Sequence, residues 1–255
     1  MKVVILCGGK GTRLSEETTT RPKPMVEIGG IPILIHLMEY YAKFGFNEFI
    51  LALGHKGEYI KNYFHSFYAQ KNDFTIDLKT GNIQYLNDSK RDWKVSLIDT
   101  GEDTLTGGRL LRLRPYLINE QNFFLTYGDG LSNIKIDELL HHHQKCHKIA
   151  TVSSVRPVAR FGEMTIENNQ VVQFQEKPQT ESGWINGGFF VFNHKIFNYL
   201  KDGDQTILER YPLEQLVREN ELAAFQHLGN WQCMDTLRDK EFLENLWASH
   251  QAFWQ

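Results

Sequence analysis

The chain has 255 residues, 41% of them hydrophobic, with 28 Lys+Arg against 31 Asp+Glu and a formal net charge of −3. That length suits one elaborated α/β domain with a sizeable core, and the near-neutral balance gives no global basic field to recruit nucleic acid or an anionic membrane. No stretch approaches the ~18 apolar residues of a membrane span, and three widely spaced cysteines, Cys7, Cys146 and Cys233, make no disulfide framework, so a soluble protein of the reducing cytoplasm is expected.

In chain order, "KVVILC" reads as a short buried strand that runs at once into glycine, too short an apolar run for a signal peptide. "ILIHLMEYYAKF" places Ile33, Leu34, Leu37, Met38 and Tyr41 at helical spacing and stops at Gly45. "NEFILAL" is a strand again, and "EYIKNYFHSFY" repeats the helical pattern with Tyr59, Ile60, Tyr63, Phe64 and Phe67. "WKVSLID", "NFFLTYGD" and "IATVSSV" follow as strands, with "IDELLHHHQ" helical between the last two. This alternation predicts an α/β fold, a mostly parallel sheet flanked by helices. From about residue 160, "EMTIE", "VVQFQEK" and "WINGGFFVFN" are extended runs without full helices between them, which predicts a β-rich lid on the same sheet. "TLRDKEFLENLWASH" reads as a closing helix, and no linker marks a domain boundary, so one domain is expected over residues 1–255.

The stretch "CGGKGTRLSEETTTRPKPM" carries the chemistry. Glycines after a first strand let backbone N–H groups come close to a phosphate chain, which is how a neutral protein holds a polyanion. No G-x-x-x-x-G-K-[ST] is present, and a dinucleotide fingerprint starting at Gly9 would need glycine where Leu14 stands, followed by a helix where "SEETTTRPKP" breaks one. A phosphate-embracing loop with Arg13 inside it and Lys23 at its exit remains, and a plain glycine turn with solvated charges fits the loop equally well. Pro22 and Pro24 confine Lys23 to an extended backbone, so its side chain leaves from a fixed point. Such a lysine can neutralise charge on a phosphorus centre, although an ordinary surface lysine is the commoner fate. Asp129, between Gly128 and Gly130, fits a turn aspartate, and Asp235 fits the N-cap of the closing helix. In "HHHQKCH", His143 and His147 would share a helical face beside Cys146, a geometry Zn²⁺ accepts, but a solvated helix face is the expected reading.

Taken together, "LCGGKGTRLSEETTTRPKPMVEIGGIPI", "DTGEDTLTGGRL", "TYGDG", "RFG", "FQEKP", "INGGFFVFN" and "WQCMDTLRDK" resemble the sugar-1-phosphate nucleotidyltransferases, in that family's order and spacing. The resemblance implies a Rossmann-like sheet with a sugar-binding lid, residues 1–155 being mainly nucleotide-binding and 156–255 mainly sugar-binding. It also implies Mg²⁺ and a reaction of CTP with α-D-glucose 1-phosphate giving CDP-glucose and pyrophosphate, without a covalent intermediate. Carried over motif by motif, Leu6, Cys7, Gly8, Gly9, Gly11, Thr12 and Arg13 would hold the nucleotide, with Lys23 near the reacting phosphorus. Thr104, Gly108, Arg109 and Gly128 would also face the nucleotide. Asp129 and Asp235 would bind Mg²⁺, and Glu176, Lys177, Asn186 and Gly187 would contact the sugar phosphate. In the family pattern Cys7 stands where alanine is usual and Ile31 at a commonly charged position. Residues 65–92 match weakly, a segment that in such proteins forms subunit contacts or shapes the acceptor pocket. A homo-oligomer is implied, with a hexamer among its expected forms. Arg13, Lys23, Asp129, Lys177 and Asp235 argue against a non-catalytic regulatory homologue, and Leu14 against a nicotinamide-dependent oxidoreductase. Another pyrimidine triphosphate or sugar 1-phosphate is the alternative within the enzyme class.

Overall fold

The computed structural model describes residues 1–87, 91–156, 163–167, 170–175 and 183–255. Seven strands form the central sheet: β1 (Lys2–Leu6), β2 (Glu48–Leu53), β3 (Lys94–Asp99), β4 (Asn122–Tyr127), β5 (Ala150–Val155), β6 (Ile185–Asn193) and β7 (Leu222–His227). Their order is β7-β5-β6-β4-β1-β2-β3. All run the same way except β6, which is antiparallel to both β4 and β5. The uniform apolar run of β1 follows from this position. Val3 and Ile5 enter the core on one face while Val4 and Leu6 enter the core on the other, so none of these four positions is left to be polar.

Helices cover both faces. α1 (Ile33–Ala42), α2 (Gly57–Lys71), α4 (Ile136–Cys146) and α6 (Leu237–Ala248) contribute Ile33, Ile60, Leu139 and Leu243 to the Val3 side. α3 (Thr106–Arg112) and α5 (Tyr211–Arg218) contribute Leu110 and Leu216 to the Val4 side. α3 and α5 are additions to the sequence reading. α3 contains Gly107 and Gly108, poor helix formers, and the reason for Gly108 is spatial: a Cβ there would fall 2.5 Å from the Asp204 carbonyl oxygen.

The second half differs from the expected lid. Glu163–Glu167 and Gln170–Gln175 do form a separate hairpin. β6, however, inserts between β4 and β5, and β7 extends the same sheet beyond β5. The two halves are therefore interleaved rather than stacked. Phe74–Ile76 and Ile83–Tyr85 form a small exposed hairpin outside the central sheet.

β1 is flanked by β2 on one side and by β4 on the other, both parallel to it. The chain thus leaves β1 in one direction and later returns on its opposite side. The crevice beyond the C-terminal ends of β1 and β4 is where an open α/β sheet binds ligands.

Candidate active site

The glycine loop leaves β1 at this crevice. Cys7 continues the pairing, its N–H donating to Ala52 O at 3.0 Å, and the chain then turns away through Gly11, whose φ of +63° lies in the left-handed region. Two short turns follow, a 3₁₀ turn at Thr12–Leu14 and a single helical turn at Ser15–Thr18. The "SEETTT" segment thus does not break a helix outright. Lys56 Nζ donates to the Thr18 and Thr19 carbonyls at 2.5 and 2.6 Å, which ends the turn there.

Lys23 is held differently from the expectation. The extended residue is Pro22 (ψ 151°), and Lys23 opens a 3₁₀ turn, Lys23–Met25, in which the Val26 N–H returns to Lys23 O at 3.1 Å. Pro24 fits this first turn because an N–H there would have no helical partner. Lys23 Nζ reaches Asp129 Oδ2 at 2.6 Å and Asp235 Oδ1 at 2.5 Å, and Arg13 Nη1 reaches Asp235 Oδ2 at 2.7 Å.

The two aspartates, 106 residues apart in sequence, are brought together by a short ladder. Gly130–Ser132 and Trp231–Cys233 pair antiparallel with Gly130 opposite Cys233, and the Met234 N–H donates to Asp129 O at 2.9 Å. Asp235 is not the cap of α6. Thr236 is, in a reciprocal arrangement with Asp239, and the Asp239 carboxylate also accepts the Asp235 N–H at 3.1 Å. The cap therefore fixes the carboxylate's backbone.

Burial decides how these charges behave. The Lys23, Asp235 and Asp129 side chains are 11%, 15% and 26% exposed, whereas that of Arg13 is 74% exposed. Burial works against the charge on Lys23, but the two carboxylates outweigh it and its pKa is raised. Burial likewise opposes ionisation of Asp235, and Lys23 and Arg13 overcome it, so its pKa is lowered. Burial pushes the Cys7 thiol far up, with Asp129 adding to it, so Cys7 is neutral and no nucleophile.

A cavity of about 520 Å³ opens above these groups, lined by Leu6, Cys7, Gly8, Gly9, Gly11, Thr12, Arg13, Lys23, Thr104, Arg109, Gly128, Asp129 and Asp235 among the residues expected from the sequence. Pro24, Leu105, Thr106, Tyr127, Trp231 and Cys233 complete it and were not singled out there. Gly108 does not line it, lying against Asp204 instead. Arg109 lines the cavity, but its guanidinium faces protein. Nη1 reaches Leu53 O, Thr100 Oγ1 and Gly101 O at 3.0, 2.9 and 2.6 Å, and Nη2 reaches Gly8 O and Glu102 O at 2.9 and 3.0 Å. These acceptors follow or end β1, β2 and β3, so one buried cation ties the glycine loop to the ends of three strands. A Cβ at Gly8 would fall 2.2 Å from that guanidinium.

A protein holding a glycine loop, two cations and two carboxylates at the β1/β4 switch point has the parts of a phosphate-transfer site. The nucleotidyl transferase family model matches residues 2–236. The chain belongs to that family. The glucose-1-phosphate cytidylyltransferases of Salmonella typhi and Salmonella typhimurium (strain LT2) are each 45% identical to it over 255 residues, covering 100% of this chain and 99% of each relative. Among solved structures, HddC from Yersinia pseudotuberculosis complexed with GMP-PN superposes with a TM-score of 0.70 at 26% identity, over 96% of this chain and 99% of that one.

On this nucleotidyl transferase fold a smaller recess of about 50 Å³ adjoins the main cavity, sharing Tyr127, Asp129, Trp231 and Cys233 with it. Asn186, Gly187 and Gly188 line it. The β5–β6 register shifts between Val152 and Ser154, Gly188 takes a φ of +80°, and the Asn186 side-chain oxygen Oδ1 accepts the Gly188 N–H at 2.8 Å. Trp231 Nε1 donates to Gly187 O at 2.7 Å and anchors this bend. Glu176 and Lys177 lie outside the described residues, as does "RFG".

The histidine helix belongs elsewhere. His143 is buried, with Nδ1 at 2.9 Å from Thr151 Oγ1 and Nε2 at 3.3 Å from Asn122 Oδ1, so the solvated-face reading fails for it. His147 ends the helix in left-handed conformation and is exposed. No cluster of three metal-ligating side chains exists among the described residues.

Proposed function

We propose that the protein transfers the cytidylyl group of CTP to α-D-glucose 1-phosphate, giving CDP-glucose and pyrophosphate. The observation that carries this reading is the convergence of Arg13, Lys23, Asp129 and Asp235 on the glycine-loop cavity. The two Salmonella cytidylyltransferases, related over their whole length, support the choice of substrates.

The acceptor needs no general base, because a phosphomonoester has its second pKa near ~6 and is largely dianionic at neutral pH. One of its oxygens forms the new bond to the α-phosphorus as the bond from that phosphorus to the β-bridging oxygen breaks, and pyrophosphate leaves with the electron pair. Two anions must meet, and the protein's task is to hold them in line and offset their repulsion. Gly8, Gly9 and Gly11 present bare backbone to the triphosphate, and Arg13 and Lys23 supply positive charge beside it. Asn186 and Gly187, in the adjoining recess, receive the sugar, with Lys177 and Glu176 assigned to the same end by motif.

Mg²⁺ belongs to this reading. Asp129 and Asp235 offer hard oxygen donors, which suits an ion that keeps several waters and takes one or two carboxylates plus phosphate oxygens. Bound there, it would supply charge neutralisation on the phosphates. A homo-oligomer is also part of it, supported by exposed Ile76, Leu78, Ile83 and Leu86 in the segment that departs from the family pattern. No helix among the described residues is long and apolar enough to cross a membrane, and Cys7, Cys146 and Cys233 are free thiols, in keeping with a cytoplasmic enzyme.

The test is pyrophosphate release with CTP, UTP, dTTP, ATP and GTP, each offered with glucose 1-phosphate and other sugar 1-phosphates. Release confined to CTP with glucose 1-phosphate is expected. Another productive pair would keep the mechanism and overturn the specificity, and none at all would leave a nucleotide-binding homologue.

A further inference from the structure

Lys23, Arg13, Asp129 and Asp235 balance one another in direct contact, whereas Arg109, the cavity's third cation, gives its guanidinium to backbone and hydroxyl oxygens. Lys23 and Arg13 bring two positive charges, Asp129 and Asp235 two negative ones, and every short contact joins opposite signs. Lys23 Nζ sits between Asp129 Oδ2 and Asp235 Oδ1, within 2.6 Å of each. A cation bridging those two oxygens would have to take its place, because two like charges cannot share one point.

We infer that Lys23, assisted by Arg13, is an internal counter-ion that keeps the carboxylate pair closed to a divalent cation until a nucleoside triphosphate draws the two side chains onto its phosphates. The inference rests on the proposed nucleotidyl transfer reaction and concerns the order in which the site fills. A divalent ion arriving alone meets two carboxylates whose charge Lys23 and Arg13 already offset, and must displace a largely buried ammonium while leaving it without a partner, which is costly at an exposure of 11%. A triphosphate arriving with the ion gives Lys23 and Arg13 new anionic partners, and Asp129 and Asp235 are then free for the metal. Metal and nucleotide consequently raise each other's affinity by the same factor.

The geometry gives the two cations unequal parts. Lys23 touches both carboxylates and is 11% exposed, while Arg13 touches one oxygen of Asp235 and is 74% exposed. Lys23 is therefore the principal competitor and Arg13 the minor one. The pair also guards against unproductive metal capture, since free Mg²⁺ cannot occupy the carboxylates ahead of the substrate it serves.

The measurement is Mn²⁺ binding followed by the paramagnetic resonance of the free ion, with no nucleotide present, for wild type and for Lys23→Met, Arg13→Met and Lys23→Met/Asp129→Asn. Lys23→Met is expected to bind Mn²⁺ more tightly than wild type by on the order of 5- to 150-fold, the usual span of such couplings. Arg13→Met should tighten it by a smaller factor, and the double variant should lose the gain. Equal or weaker Mn²⁺ binding by Lys23→Met, with its circular dichroism unchanged, overturns the inference. Should Lys23→Met fail to fold, Lys23→Gln, which keeps a polar side chain without its charge, is measured in its place, and no tightening there removes the competition. Wild type titrated with Mn²⁺ and CTP together separates the two readings. No ternary complex would sink the nucleotidyl transfer site itself, whereas a normal ternary complex without tightening in the variants sinks only the counter-ion role.

Discussion

The loop after β1 and the end of α4 both look like motifs, one rich in glycine and positive charge, the other in histidine, but their fates in the fold are opposite. The loop becomes a site because distant carboxylates are delivered to it: Lys23 meets Asp129 and Asp235, and Arg13 meets Asp235. The histidines receive no such partners. His143 turns inward to Thr151 and Asn122, His142 lies against Cys146 Sγ at 3.4 Å, and His147 merely ends the helix. A cluster in sequence has chemistry only when the tertiary fold brings it a complementary group.

The largest effect should follow removal of the ammonium at the point of convergence. Lys23→Ala is expected to lower kcat/KM by about 100- to 1,000-fold, the usual result of deleting one preorganised charged contact to a transition state, with an unchanged circular dichroism spectrum. Activity within threefold of wild type would remove Lys23 from the reaction. Next comes the support beneath the loop. Arg109→Lys keeps a positive charge but cannot span the five acceptors, and should raise the CTP KM by about 10- to 100-fold, equivalent to losing a charge-assisted hydrogen bond worth roughly 1.5–3 kcal/mol. Gly8→Ala should do the same, since its methyl group would fall on that guanidinium. The double variant should lose much less than the two combined, because both act on one contact. Additive losses, or a rise confined to the glucose 1-phosphate KM, would separate Arg109 from the loop.

The strands were legible because burial on both faces leaves an unmistakable apolar run, as in residues 3–6 of β1. α3 was hidden by Gly107 and Gly108, whose presence answers to Thr206 and Asp204 rather than to local propensity. Asp129 and Asp235 each looked like ordinary turn or cap residues, and only the three-residue ladder of Gly130–Ser132 with Trp231–Cys233, too short to show a period, makes them neighbours. Arg109 shows the converse problem. An arginine beside a glycine motif reads the same whether its guanidinium meets a phosphate or a set of carbonyls, and here it meets carbonyls. Trp231 carried one usable signal, a large aromatic four residues before a motif aspartate.

The helix side of the comparison can be tested through pH. Burial, with His142 adding to it, depresses the pKa of His143 from 6.5 to about 4. Folding thus favours the neutral ring. This contribution is complete above the unfolded value of 6.5 and is lost as pH falls toward 4, amounting to about 3 kcal/mol at 1.36 kcal/mol per unit. His36 and His227 are also depressed by burial and add to the slope. Urea unfolding at pH 7 and pH 4 should show a stability loss in wild type that exceeds the loss in His143→Gln by about 3 kcal/mol. Equal losses in the two proteins would place the titration elsewhere.

The smallest effect belongs to His147, one of the two histidines that a zinc site on this helix would use. His147 closes α4 with φ 52° and ψ 32°, a left-handed conformation that costs an L-residue roughly 1–2 kcal/mol. Glycine removes that strain but loses roughly 0.5–1 kcal/mol more conformational entropy on folding. His147→Gly should therefore stabilise the protein by about 0.5–1 kcal/mol, a rise in Tm of about 1–4 °C for a chain of this size. Pyrophosphate release should be unchanged, because His147 lines neither the main cavity nor the recess. Zinc should leave the Tm of both proteins where it is. A wild-type Tm raised by zinc and insensitive to it after His147→Gly would restore the metal reading of this helix, and with it the idea that the histidine cluster finds its partner outside the chain.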